Sequence, residues 1–164
     1  MLSFLFQTYT FHRCIYATHK SLLKRETFYI CIMLKEIRDQ LIIDTQVQFP
    51  SYDKVGKYRG EFEEDSEWNP GKVNVFFQVT GDRKKVSTAA GEIIKRITTV
   101  RVFAGTEYFH DVDGLTVVED LINFFSGATL SIEDKKYHLT VEEGMSLVYV
   151  ERRFEGYAFN LLIT

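Results

Sequence analysis

The sequence is short of cysteine, of long apolar runs and of positive charge, and each shortage removes a class of function. Its only cysteines are Cys14 and Cys31, with no CxxC spacing and no second Cys/His cluster to complete a zinc site. They read as reduced thiols of an intracellular protein. No apolar stretch reaches the roughly 18–20 residues that span a bilayer, and the N-terminus lacks the charged start, apolar core and small-residue cleavage site of a signal peptide. Lys and Arg number 20 against 23 Asp and Glu, a net charge of −3. That balance argues against a dedicated nucleic-acid binder, whose affinity comes largely from cations at the phosphates. Absent too are GxSxG, the P-loop, GxGxxG and HExxH.

What is present suits a globular α+β protein. At 164 residues the chain can bury a real core as one domain, and 45% hydrophobic composition is too apolar for disorder. The aromatic share of 15% favours a sheet-rich core or a subunit interface.

A seam is expected at residue 33. Residues 1–32 hold Arg13, Lys20, Lys24 and Arg25 against Glu26, a net +3, which leaves −6 on residues 33–164. Their apolar residues follow no clean period. From Met33 the sequence reads as the start of a small domain. Residues 1–32 are therefore expected to be an over-extended gene start, with Met33 the initiator, or a disordered, amphipathic arm that docks on a partner. Intact mass of the natively expressed protein distinguishes the two. Residues 33–164 form a single α+β domain.

Within that domain Leu34, Ile37, Leu41 and Ile42 predict a short amphipathic helix that Pro50 keeps from continuing. Residues 51–71 read as a polar connection containing the acidic run Glu61, Glu63, Glu64, Asp65 and Glu67. That run lacks EF-hand offsets and reads as a solvated loop. Val73–Thr80 alternates as a strand, and a second strand runs through Ile93–Phe103. Between them Gly81–Lys85 and Ser87–Gly91 predict a basic and then small-residue loop, the flexible tip of a long hairpin arm. Asp113 is placed to cap a helix whose apolar face is Leu115, Val118, Leu121, Ile122 and Phe125, with Ser126-Gly127 as its stop. Strands follow at Thr129–Ile132 and Tyr137–Val141, a turn at Glu143-Gly144, then Ser146–Phe154 and Tyr157–Ile163 with a bend at Gly156. The expected architecture is a mostly antiparallel sheet with two helices packed on one face.

Three constellations invite a chemical reading. Asp111-Val112-Asp113-Gly114-Leu115-Thr116 resembles the DxDG(T) loop of haloacid-dehalogenase-like phosphatases, in which the first Asp is the nucleophile and the second a general acid. That loop belongs after the first buried parallel strand near the N-terminus, followed by crossover units. Here it comes two-thirds along the chain and ahead of a meander, so helix capping explains the same residues. His110 beside Asp111 has no partner at ligand-like spacing. Arg83, Lys84, Lys85, Lys95 and Arg96 form the basic cluster of the acidic part of the chain. With Glu63, Glu64 and Asp65 they are candidates for a subunit interface, the basic arm of one copy meeting the acidic loop of the next. No catalytic residue, metal or cofactor is expected.

In the order of its elements, residues 33–164 resemble the tail-terminator family of Mu-like phages. The resemblance rests on the opening helix Met-Leu-Lys-Glu-Ile-Arg-Asp-Gln-Leu, the strand Val73–Gly81 and the strand Thr98–Ala104. It continues with the helix Gly114–Ile122 leading to Gly127, the strand Leu147–Val150 and the last apolar strand Tyr157–Ile163. The acidic run and residues 1–32 depart from the family pattern. The resemblance implies a structural virion protein assembled in the bacterial cytoplasm: a ring, hexameric in such relatives, that caps the tail tube and meets the head connector. A head-completion or neck protein is the nearest alternative, and a small hydrolase using Asp111 and Asp113 the next.

Overall fold

In the computed structural model the described residues are 33–62, 71–86, 93–107, 113–151 and 154–164. Contacts gather Glu36–Thr164 into one compact unit. Helix α1 covers residues 33–48 and is followed by β1 (Lys54–Lys57), β2 (Val73–Val86), β3 (Ile93–Glu107) and α2 (Gly114–Phe125). The chain ends with β4 (Thr129–Ile132), β5 (Lys135–Glu151) and β6 (Phe154–Ile163). The strands form one six-stranded sheet in the order β1-β2-β3-β6-β5-β4. Every neighbouring pair is antiparallel except β1 with β2. The α+β, mostly antiparallel architecture is as the residue pattern implies.

Helix α1 runs on to residue 48, beyond the short helix expected, because its buried stripe continues from Ile37 and Leu41 to Thr45. Thr45 is admitted to that stripe by donating its hydroxyl to the Leu41 carbonyl at 2.7 Å. Helix α2 starts where Asp113, with extended φ and ψ, accepts from the Leu115 amide at 3.2 Å. It stops at Ser126, and Gly127 supplies the left-handed φ of +73° that a side chain would resist. Val117, Val118, Leu121 and Phe125 are its buried face. Leu115, expected there, stands 40% exposed at the first turn, and Val117 takes its place.

The core follows from strand alternation. On one face lie the cross-strand rows Val75–Ala104–Tyr157, Phe77–Val102–Phe159 and Val79–Val100–Leu161. Helix α2 rests on this face, with Phe125 edge-on to Phe77 at 6.1 Å. On the opposite face Phe76, Phe103 and Ala158 are in register and join Phe62 and Phe154 in an aromatic cluster edged by Tyr58 and Val148. Tyr58 stacks on Phe103 with centroids 3.9 Å apart.

Four expectations need correction. The connection after residue 50 is not wholly polar, since it contributes β1 as well as Tyr58 and the buried Phe62. Gly81–Lys85 is not loop: β2 continues through it to Val86, paired with β3. Glu143-Gly144 does not reverse the chain. Asn160 on β6 stands opposite the extra residues between Val141 and Met145, so β5 absorbs them as a bulge and runs on to Glu151. Gly156 is no bend either, because it sits inside β6 opposite Gly105. In each case long-range pairing outweighed the local turn preference of glycine and charged residues.

Candidate functional site

The DxDG segment is divided by the structure. His110 and Asp111 lie outside the described residues, whereas Asp113 is occupied as the cap of α2. The N-terminus of α2 has a second anchor in Glu155, whose Oε1 accepts from the Gly114 amide at 3.3 Å and whose Oε2 accepts from the Tyr157 hydroxyl at 3.1 Å. The strand that precedes the segment, β3, is antiparallel to both neighbours, unlike the buried parallel strand ahead of a phosphatase loop. Among the described residues no group of three His, Cys, Asp or Glu side chains could hold a metal ion. No helix among them is long and apolar enough to cross a membrane.

The basic cluster is concentrated by strand pairing. Register sets Arg83 opposite Ile97, Lys84 opposite Arg96 and Lys85 opposite Lys95. Like charges directly opposite across a ladder repel. One charge is compensated within the chain: Arg96 grips Asp82 through Nε and Nη2, with Nε at 2.7 Å from Oδ1, and Thr98 donates to the same carboxylate at 3.4 Å. Glu63, Glu64 and Asp65, the acidic half of the expected interface, lie outside the described residues.

These rungs also extend past the body of the sheet. Pairing of β3 with β6 ends at Thr98–Ile163, so Arg83–Ile97 and the rungs beyond join β2 and β3 alone among the described strands. The partner of β2 on its other side, β1, reaches only Asn74–Phe77. Gln78–Val86 therefore presents an edge among the described residues. The β1 edge itself is brief and carries Lys54 and Lys57, a common defence against stray strand pairing.

A second edge escaped the residue pattern. Strand β4 covers β5 only at Lys135–His138, with the Leu139 amide and carbonyl reaching Ala128 and Gly127. Beyond Leu139, β5 has β6 on one side and no strand on the other among the described residues. There Met145 and Leu147 are 45% and 57% exposed, beside the exposed carboxylates Glu142 and Glu143. The signal that could have revealed this edge is the alternation from Leu139 to Leu147, which the glycine at 144 disguised as a turn.

One buried side-chain polar atom among the described residues lacks a hydrogen bond, the hydroxyl of Tyr52. Its ring stacks on Phe49, which meets Phe124 of α2 edge-on. Burial, and then the Asp120 carboxylate, push its ionisation up to about 12. The described surface thus offers two strand edges that carry residues of opposite charge, and exposed apolar side chains at Met145 and Leu147 on β5 and at Ile43 and Val47 on α1. In sequence comparison the chain matches no family model and no curated protein.

Proposed function

We propose that residues 33–164 are a structural subunit of a phage tail, a tail terminator of the Mu-like type. It would cap the finished tube as a ring, end polymerisation and present a surface to the head connector, through binding alone. The observation that carries this reading is the succession of elements: a helix, a strand pair, a helix and a closing meander, each over the residues on which the resemblance rests. Both helices on one face and a hairpin arm at β2–β3 belong to the same reading. The Phe49–Phe124 contact, which brings the chain just after α1 against α2, supports the first. Two unlike edges suit a ring, because head-to-tail closure needs two different patches on each subunit.

The test is electron microscopy of particles from the parent genome with this gene disrupted and then restored. Overlong or ragged tails beside separate filled heads are expected. Normal tails beside leaking or unjoined heads would move the role to the neck, and intact infectious particles would refute a virion role altogether.

A further inference from the structure

We infer that the outer edge of β5 docks the basic edge of β2 from a second copy of this chain, forming a head-to-tail contact. The inference rests on the assembly reading above and supplies its interface.

Three observations converge on this pair of surfaces. First, both are strand edges: Gln78–Val86 lies beyond the reach of β1, and β5 beyond Leu139 lies beyond the reach of β4. Second, their charges are opposite. The β2 edge carries Arg83, Lys84 and Lys85 in a unit whose net charge is negative overall, and the β5 edge carries Glu142 and Glu143. Register sets Lys84 opposite Arg96 and Lys85 opposite Lys95, and carboxylates of a neighbour would complement that concentration of basic residues. Third, β5 is regular between its two bulges, at Met145–Leu147, and this stretch holds two exposed apolar side chains, Met145 and Leu147. A docked strand can pair there and cover Met145 and Leu147, while the bulges limit how far any arbitrary strand can follow. The two surfaces are different patches of one chain, so the contact repeats and either closes into a ring or continues as a filament.

The experiment uses the full chain and reads its mass by sedimentation velocity across a concentration series. Wild type is expected to assemble with rising concentration. The pair Lys84→Glu with Lys85→Glu, and separately the pair Glu142→Lys with Glu143→Lys, should each weaken assembly by roughly tenfold or more. Mixing the two variants, or combining all four substitutions in one chain, should restore it, since each reversed edge then faces its complement. Rescue also separates a lost contact from a damaged fold, and unchanged far-UV circular dichroism of each variant checks the same point. Assembly that ignores the reversals, or four substitutions that fold but do not rescue, would overturn this interface and leave the ring reading standing. A wild-type chain that stays monomeric throughout would overturn it too, and tail capping would then be judged by the particle microscopy alone.

Discussion

Gly105 offers the sharpest test of the packing described above. It lies at the centre of the sheet, on β3, with Asn74 on one side and Gly156 on the other. A Cβ built there would stand 2.5 Å from Cζ and 2.6 Å from Cε1 of Phe154, and 2.7 Å from the Glu155 carbonyl oxygen. Ordinary contact with carbon begins near 3.5 Å, so something must move by close to an ångström. The ring has little room, because Phe154 is buried in the aromatic cluster with Phe62 at 5.4 Å. Expelling the ring forfeits about 1.5–3 kcal/mol of burial, and shifting β6 instead disturbs the pairing of a central strand. Gly105→Ala should therefore destabilise by about 2–3 kcal/mol, the upper part of the range for overpacked cores. Chemical denaturation followed by far-UV circular dichroism measures it. Gly56→Ala, where the added carbon would meet nothing within 4 Å, should stay within about 0.5 kcal/mol of wild type. Phe154→Ala removes the ring that the added methyl group meets, so the double variant should cost at least about 1 kcal/mol less than the sum of the singles. A Gly105→Ala protein as stable as wild type, or strict additivity with Phe154→Ala, would refute the argument.

Three further outcomes follow from single groups. Asn74 is fully buried and exchanges two hydrogen bonds with the backbone of Gly71, at 2.7 and 2.9 Å, so Asn74→Ala should cost about 1–3 kcal/mol in the same denaturation assay. Asp113→Ala should cost about 0.5–2 kcal/mol as α2 loses its cap, with Asp113→Asn recovering most of it. Tyr52→Phe should be neutral or stabilising by up to about 1 kcal/mol, since it deletes a hydroxyl with no partner. The sign for pH is definite: Tyr52 ionises near 10 when unfolded and at about 12 when folded. Its contribution is complete below pH 10 and is lost as pH rises towards 12. Equilibrium unfolding across that window should show a shallower alkaline decline in Tyr52→Phe than in wild type.

How much of the fold was legible depended on whether local pattern and long-range pairing agreed. They agree at α2, where Asp113, the apolar spacing and Gly127 mark both ends. They agree again at β4 and over Tyr157–Ile163 of β6, whose alternation is nearly uninterrupted. They disagree at Glu143-Gly144, where a turn preference worth a fraction of a kcal/mol competes with the pairing of a 17-residue strand against β6. They disagree at β1 as well. Four residues flanked by lysines carry almost no periodic signal, and only the parallel register with Asn74–Phe77 makes them a strand. Phe62 was hidden for a similar reason, since one aromatic in an acidic stretch becomes core only when Phe76, Phe103 and Phe154 converge on it.

The candidate site divides along the same line. Basic residues at 83–85 could be named from composition, but their concentration into opposed rungs is a matter of register, which no local pattern specifies. Glu63, Glu64 and Asp65, a charge run conspicuous in the sequence, lie outside the described residues. Glu142 and Glu143 are less conspicuous, yet they precede exposed Met145 and Leu147 on a length of β5 that pairs with β6 on one side and with no described strand on the other. Three edge lengths among the described strands, those of β1, β2 and β5, then differ from one another. The β1 edge is short and lysine-flanked, as suits an edge that must stay solvated. The β2 and β5 edges are longer, oppositely charged and, on β5, apolar. Unequal edges of this kind are what the docking of β5 on β2 proposed above requires.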